Sequence, residues 1–235
     1  ASLSRVPGFV LTTVFTLSLT LGVLLAAFSL NHLLLFKALP YPDAQNLILM
    51  EQELQEGERK YSGSQYFVAQ KLMYQQQKSL TSMALVFRSS TILASLRDKP
   101  LTELSYVSPE YFDILGVPVV LGRGFTEKES IDSNTASALI SEQLWRIKYG
   151  KDADVVGQSI TLGEQQYKIV GVVAASFAEP ANFADDANSQ IWLPWDFHGQ
   201  DEKTWNFVYS QTAAIGKLSP ATTINQVSDE FNALV

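Results

Sequence analysis

The chain opens with a run of 31 residues, Val6 to Phe36, that contains no Asp, Glu, Lys or Arg. As an α-helix, the apolar part from Phe9 to Phe36 would extend about 42 Å, at about 1.5 Å per residue. That length exceeds the hydrocarbon core of a bilayer, which is about 30 Å thick. The run is also longer than the apolar region of a secretory signal, and most buried core helices of this length carry a charge. It therefore predicts a membrane-spanning helix in contact with the lipid bilayer, and residues 1–39 are assigned to this helix and a stalk.

The charges lie almost entirely in the remainder of the chain. All 24 Asp and Glu residues follow position 40, with 15 of the 17 Lys and Arg residues, so this part has a net charge of −9. Such a balance argues against nucleic acid or anionic lipid headgroups as partners, because phosphate binding needs clustered Lys and Arg. The chain has no Cys, which excludes thiol catalysis, disulfides and Cys-based zinc sites.

Segments with strand character alternate with helical ones after position 40, without the strand–helix–strand rhythm of a parallel sheet. Strands are predicted over 46–52, 82–96, 101–107, 138–140, 191–194 and 207–218, and a hairpin over 159–173 with its turn at Gly163-Glu164. This pattern predicts an α+β fold.

Capping residues predict where the helices begin. The predicted starts are Ser62 with Gln65 as a capping box, Ser108-Pro109-Glu110, Ser141, and Ser219-Pro220 before an apolar face of Ile224, Val227, Phe231 and Leu234. Gly116 and Gly150 are predicted to end the second and third of these helices.

The middle of the soluble part has a different character from its flanks, because it is richer in turns and strands. We interpret residues 117–200 as an inserted, mostly β subdomain. Residues 40–116 and 201–235 would then form the first subdomain, which the chain leaves and re-enters.

No segment carries a convincing active site, and no catalytic, cofactor-binding or metal-binding residue is predicted. Gly122-Arg123-Gly124 lacks the features of a phosphate loop and favours a tight turn. The carboxylates of Glu127, Glu129 and Asp132, or of Asp185 and Asp186, lack the spacing of a calcium loop, which favours solvated loop acids. His198, between Asp196 and Asp201, is the only histidine after position 40, too few for a metal site or a triad. The Trp residues at 145, 192, 195 and 205 are interpreted as core anchors rather than a ligand platform.

Several segments, taken in order, resemble one family. The turn Leu39-Pro40-Tyr41-Pro42 after the apolar run, together with residues 107–129, 141–173 and 191–195, resembles MacB/FtsX-type (type VII) ABC transporter permeases. Each motif is weak alone, and their order and spacing make the resemblance specific. It covers residues 9–218 and is nearest to the permeases that lack a fused ATPase.

The resemblance implies a first transmembrane helix followed by a periplasmic domain, in which a porter-like α+β subdomain, 40–116 and 201–235, carries an inserted mostly-β subdomain, 117–200. It implies no enzymatic activity and no cofactor, because a separate ABC ATPase subunit hydrolyses ATP. A second permease copy or paralogue, and in some members a periplasmic adaptor, are the further implied partners. At least three more membrane helices would follow the outer domain in such a protein.

These expectations together predict a permease subunit in the bacterial inner membrane, with residues from about 40 onward on the periplasmic side. Its outer domain would transmit ATP-driven conformational change, in the export of peptides, antibiotics or lipoproteins or in envelope signalling. The alternative is a single-span, membrane-anchored sensor or ligand-binding domain.

Overall fold

The structure is a computed structural model, and it describes residues 7–35, 41–50, 52–56, 59–63, 67–94, 96, 98–129, 136–180, 188–195 and 212–234. Within these residues the chain forms two compact units, one up to Pro40 and one from Tyr41 onward. The helices are α1 Pro7–Leu35, α2 Phe67–Gln76, α3 Tyr111–Leu115, α4 Glu142–Tyr149 and α5 Ile224–Leu234.

The strands are numbered β1 to β11 in chain order. They span Leu47–Met50, Gln52–Glu56, Arg59–Gly63, Leu80–Ile92, Leu101–Val107, Val119–Gly122, Ser137–Ser141, Ser159–Leu162, Gln165–Val173, Ile191–Pro194 and Thr212–Leu218. Short 3-10 turns cover Ala44–Asn46, Glu127–Glu129 and Ala153–Val155.

The first unit is the predicted apolar helix. The segment Leu11–Ser29 of α1 is long and apolar enough to cross a membrane, and its large apolar side chains, from Leu11 to Phe28, are more than half exposed. The hydroxyls of Thr12, Thr16 and Thr20 each donate to the carbonyl oxygen four residues earlier, at 3.0 to 3.1 Å. These bonds satisfy the three threonine hydroxyls within the helix, as a lipid environment requires.

The second unit is built on one mixed sheet of nine strands. Its order is β1-β11-β4-β5-β10-β7-β9-β6, with β8 also paired to β9, and β2 and β3 form a separate hairpin. The pairs β5–β10 and β7–β9 are parallel, and the other pairs of the large sheet are antiparallel. This arrangement confirms the predicted α+β class and the N-terminal helix.

Apolar side chains alternate between the two faces of the sheet, which gives three buried clusters. One face carries the cluster of α3, with Tyr111, Phe112, Val86, Leu139 and Trp192 among its members. The opposite face carries a cluster with α2 and α5 at one end and a cluster with α4 and β8 at the other.

The predicted subdomain boundary falls along one line of this sheet. Strands β1, β4, β5 and β11 come from 40–116 and 201–235, and β6 to β10 come from 117–200; the two sets meet where β5 pairs with β10. The cluster around α3 contains side chains from both sets. The division into a porter-like and an inserted subdomain stays a prediction.

The capping signals were correct for both ends of α4 and for the C-terminal end of α3. Ser141 Oγ accepts from the amide of Leu144 at 3.0 Å and Gly150 follows α4 with a φ of 58°, as predicted. Gly116, with a φ of 65°, ends α3. The turn of the predicted hairpin lies at Gly163-Glu164, between β8 and β9.

Other predicted helix starts were wrong, because tertiary contacts compete for the same residues. Ser62 lies in strand β3 opposite Glu53, and α2 begins at Phe67. Ser108 Oγ accepts from the amide of Leu85 instead of capping α3.

The last helix also begins later than predicted, at Ile224 rather than after Ser219-Pro220. Thr223 and Gln226 form a reciprocal capping box there, in which Thr223 N donates to Gln226 Oε1 at 2.8 Å and Gln226 N to Thr223 Oγ1 at 3.4 Å. Val227 and Phe231 are buried as predicted, whereas the side chain of Ile224 is 64% exposed.

Candidate functional site

A row of polar side chains crosses the sheet where its two halves meet. Arg88 of β4 lies opposite Ser105 of β5, and Ser105 lies opposite Trp192 of β10. Because side chains alternate along a strand, these three share the face that carries Val86 and Val107. The row therefore places a cation, a hydroxyl and an indole N–H side by side on an otherwise apolar face.

Glu179 covers this row from the segment that follows β9. One carboxylate oxygen, Oε1, accepts from Ser105 Oγ at 3.1 Å and from Trp192 Nε1 at 3.0 Å. The other, Oε2, accepts from the amide of Ser189 at 2.9 Å and lies 3.9 Å from Arg88 Nε. The Glu179 side chain is 1% exposed, so these groups replace almost all of its hydration.

Hydrogen bonds also hold the residues next to Glu179. Its amide donates to Asn188 Oδ1 at 2.9 Å, and the hydroxyls of Ser105 and Ser189 lie 2.8 Å apart. The Tyr41 hydroxyl donates to the carbonyl oxygen of Ala178 at 2.8 Å. We call Arg88, Ser105, Glu179, Ser189 and Trp192 the Glu179 cluster.

Removing a charge from water costs several kcal/mol, and this cost is offset only when good geometry supplies hydrogen bonds and an opposite charge. Glu179 has three donors and the guanidinium of Arg88, which itself lies 4.0 Å from a carboxylate oxygen of Glu103. The carboxylate is therefore already fully engaged by protein groups. Its chemistry suits fixing two chain segments together better than binding a ligand.

Aromatic rings enclose the cluster on the α3 side. Tyr111, Phe112, Phe177 and Trp192 contact one another with ring centroids 5.3 to 6.2 Å apart, mostly edge to face, the geometry that aromatic pairs prefer. Burial, reinforced by the negative charge of Glu179, raises the pKa of Tyr111 well above its ordinary value. The same two causes, in the same order, raise the pKa of Tyr41 to about 12. Both phenols are therefore neutral at physiological pH.

A second ion pair, with a buried carboxylate and a half-exposed guanidinium, lies wholly within residues 117–200. Arg123 donates through both terminal nitrogens to Glu129, with Nη2 2.9 Å from Oε1, and Thr126 donates its amide and hydroxyl to the same carboxylate. Burial opposes ionisation of Glu129, but these hydrogen bonds outweigh it and leave the pKa lowered. The prediction of a solvated loop acid was wrong for Glu129, because its side chain is 7% exposed.

The remaining residues singled out from the sequence divide into two groups. Trp192 and Trp195 are buried core residues, as predicted, and Trp145 is half-buried with its Nε1 donating to the carbonyl oxygen of Asp152. Outside the described residues lie Asp132, Asp185, Asp186, Asp196, His198, Asp201 and Trp205. In the part of the chain that the structure describes, no three His, Asp or Glu side chains come together to hold a metal ion.

Sequence reasoning missed Arg88, Ser105, Glu179 and Ser189. One signal was available, since Arg88 stands at an inward-facing position of a strand whose neighbours Ala84 and Val86 are buried. A charge on an apolar face requires a partner. The identity of that partner depends on the fold, because Glu179 is 91 residues further along the chain.

The described residues define a class: an α+β domain on a mixed sheet that follows an N-terminal helix long and apolar enough to cross a membrane. The chain belongs to the family of MacB-like periplasmic core domains, whose sequence model matches residues 10–234. The family consists of domains of ABC transporter permeases.

Individual relatives agree with this assignment. The macrolide export ATP-binding/permease protein MacB of Shewanella oneidensis is 28% identical over 112 residues, which cover 46% of this chain. The match spans only 16% of that relative's length.

Solved structures show the same fold. A domain of a putative permease protein from Porphyromonas gingivalis matches with a TM-score of 0.56 and 17% identity, covering 83% of this chain and 82% of that one. The periplasmic region of MacB from Actinobacillus actinomycetemcomitans matches with a TM-score of 0.55 and 15% identity, covering 80% and 82%. The extracellular domain of the noncanonic ABC-type transporter YknZ from Gram-positive bacteria matches with a TM-score of 0.50 and 14% identity, covering 80% and 90%.

Proposed function

We propose that this chain is the first membrane helix and outer domain of an ABC permease subunit, and that the domain transmits ATP-driven conformational change across the inner membrane. The observation that carries the proposal is the extent of the family match, which includes most of α1 and the whole domain from Tyr41 onward. A helix and an outer domain that recur together as one family unit are suited to passing motion from the membrane to the outside.

In this proposal the chain itself hydrolyses nothing. The MacB relative is by name both ATP-binding and permease, and the match to this chain covers a small part of it. We assign ATP hydrolysis to a separate ATPase subunit and pairing to a second permease copy or paralogue, with a periplasmic adaptor as a further partner. The proposed cargo classes are peptides, antibiotics or lipoproteins. Alternatively, the transmitted conformational change serves envelope signalling instead of transport.

The direct test is the association of the protein with an ATPase and the coupling of the two. We expect it to co-purify with an ABC ATPase from bacterial membranes, and the ATP turnover of the complex to depend on both subunits. The matched control is the same preparation with the ATPase carrying a substitution that abolishes ATP binding. A protein that never associates with an ATPase would overturn the proposal and favour a membrane-anchored sensor or ligand-binding domain.

The proposed location has its own test, because the chain lacks cysteine. Gln143→Cys introduces a single thiol at an exposed position of α4. We expect a membrane-impermeant maleimide to label it in cells whose outer membrane has been permeabilised and whose inner membrane is intact. Labelling only after inner-membrane lysis would place the domain on the cytoplasmic side and contradict the proposal.

A further inference from the structure

The line between β5 and β10 is the place where residues 117–200 join the rest of the domain. β5 pairs with β10 over four register positions, from Leu104–Ile191 to Val107–Pro194, whereas it pairs with β4 over seven. Parallel pairing is slightly less stable per residue than antiparallel pairing. By backbone pairing alone, this junction is therefore a weak line in the sheet.

The Glu179 cluster reinforces that line. Arg88 and Ser105 belong to the first set of strands, and Glu179, Ser189 and Trp192 belong to 117–200. The ion pair and the Ser105 hydrogen bond to Glu179, together with the contact between the hydroxyls of Ser105 and Ser189, therefore cross the junction. The Ser105 hydrogen bond is directional, and the Arg88–Glu179 contact is a charge attraction at 3.9 Å. Both lie in a buried site, where electrostatic interactions are stronger than in water.

Further contacts across the junction are the hydrogen bond from the Tyr41 hydroxyl to the carbonyl oxygen of Ala178, backbone bonds and apolar packing. Gln190 N donates to the carbonyl oxygen of Glu103 and Trp195 N to that of Val107, both at 2.9 Å. At the C-terminal end of β4, the amide of Gly163 donates to the carbonyl oxygen of Ile92. Apolar contacts tolerate sliding better than a buried charge does, because a displaced carboxylate loses its donors in a medium that supplies no replacements.

We propose that the Glu179 cluster is a latch that makes residues 117–200 move as one body with the rest of the domain. The latch deepens the proposed function and rests on it, since a domain that transmits motion must not yield at its weakest internal line. When the carboxylate is replaced by an amide, as in Glu179→Gln, the two sets of strands reorient relative to each other while each keeps its own fold.

The test compares Glu179→Gln with Glu129→Gln in the full chain held in lipid nanodiscs. Both changes remove one buried carboxylate paired with an arginine, but the Arg123–Glu129 pair lies entirely within 117–200 and does not cross the junction. Spin labels are attached to paired cysteines in the cysteine-free chain. The pair Asp229→Cys and Gln143→Cys reports across the junction, and the pair Gln143→Cys and Glu164→Cys reports within 117–200; all three positions are exposed.

We expect Glu179→Gln to broaden or shift the distance distribution of the across-junction pair and to leave the internal pair unchanged. Glu129→Gln should leave the across-junction pair as in the parent chain. An unchanged across-junction distance in Glu179→Gln would overturn the latch. Equal broadening of both label pairs, or the same broadening in Glu129→Gln, would also overturn it, because either result indicates general loosening.

Hydrogen exchange gives a second readout and covers the case in which Glu179→Gln does not fold. Ser105→Ala removes a single donor to the carboxylate, and we expect the amides of Ser189 and of β10 to exchange about tenfold faster or more, the scale of one lost bond to a charged group. The amides that pair β4 with β11 should be unaffected. Equal acceleration in both regions would refute a local latch.

Both measurements use the chain without any ATPase, so the latch and the transport role fail separately. If the distance measurements support the latch but the protein binds no ATPase, only the proposed function is refuted. If the complex couples ATP turnover but Glu179→Gln leaves the across-junction distance unchanged, only the latch is refuted.

Discussion

Two glycines with a positive φ should respond very differently to a methyl group. Gly122 ends β6 with a φ of 75°, and Gly150 follows α4 with a φ of 58°. Both values lie in the left-handed region, which costs a residue with a Cβ about 1–2 kcal/mol. The perturbation is Gly122→Ala, with Gly150→Ala as the matched control.

The surroundings of the two glycines set the difference in magnitude. A Cβ on Gly122 would lie 2.3 Å from the carbonyl oxygen of Val170 and 2.8 Å from the Cα of Gly171, both backbone atoms of the paired strand β9. A Cβ on Gly150 would meet no atom within 4 Å. Overpacking of this kind adds about 1–3 kcal/mol, so we expect Gly122→Ala to cost about 2–5 kcal/mol and Gly150→Ala about 1–2.

Thermal unfolding followed by circular dichroism measures this difference. A domain of this size loses about 2–4 °C in Tm per kcal/mol, so Gly122→Ala should melt at least a few degrees below Gly150→Ala. Asparagine tolerates the left-handed region better than alanine does. Gly150→Asn should therefore recover part of the loss, whereas Gly122→Asn should recover none, because its Cβ meets the same backbone atoms.

The reasoning would be refuted if Gly122→Ala were no more destabilising than Gly150→Ala. Recovery by asparagine at position 122 as well would show that backbone conformation, and not the approach of β9, determines the cost at both sites.

Three further predictions test the capping, the ion pair and the packing of the last helix. Ser141→Ala should lower the free energy of unfolding by about 1 kcal/mol in urea titrations, since it removes the cap on Leu144 N; Ser141→Asp should restore most of it, and an equal loss in both would contradict the cap. The folded-state pKa of Glu129 is lowered, so the stability from its ion pair is present at neutral pH and is lost as pH falls below the ordinary value of 4.5 through that lower pKa. Glu129→Gln should therefore flatten the acid limb of stability against pH, and an unchanged limb would contradict the assignment. Phe231→Ala should cost about 3–5 kcal/mol and speed amide exchange along α5, whereas the exposed Asp229→Ala should change neither; similar effects of the two would show that α5 is not held by its buried face.

Local signals in the sequence were sufficient for elements whose stabilising contacts are close in the chain. The α4 helix, with Ser141 at one end and Gly150 at the other, and the β8–β9 hairpin were predicted because cap, turn and apolar spacing lie within a few residues. The start of α2 was wrong because Ser62 pairs with Glu53 in a hairpin. The prediction that Ser108 caps α3 was wrong for a similar reason, because its hydroxyl accepts a hydrogen bond from the amide of Leu85 in β4.

The candidate site was less predictable than the fold. Trp192 was expected in the core from its residue type, and it is there. Its donation to Glu179, and the row it forms with Ser105 and Arg88, depend on the parallel register between β5 and β10. The register between β5 and β10, whose paired residues are 87 positions apart, leaves no local trace in the sequence, so nothing marked Glu179 as a buried acid.

The sequence by itself determined the apolar helix, the α+β class and the family, because uncharged length, residue periodicity and motif order are properties of the chain read in one dimension. The tertiary structure alone decided which carboxylates are buried and what they hold. Glu129 and Glu179 carry the same chemistry as the solvated acids around them. Arg123 is only six residues from Glu129, whereas Arg88 reaches Glu179 only through the strand order of the sheet. Burial then determines the role of the Arg88–Glu179 pair, since an ion pair removed from water holds together segments that the same pair at the surface would leave free.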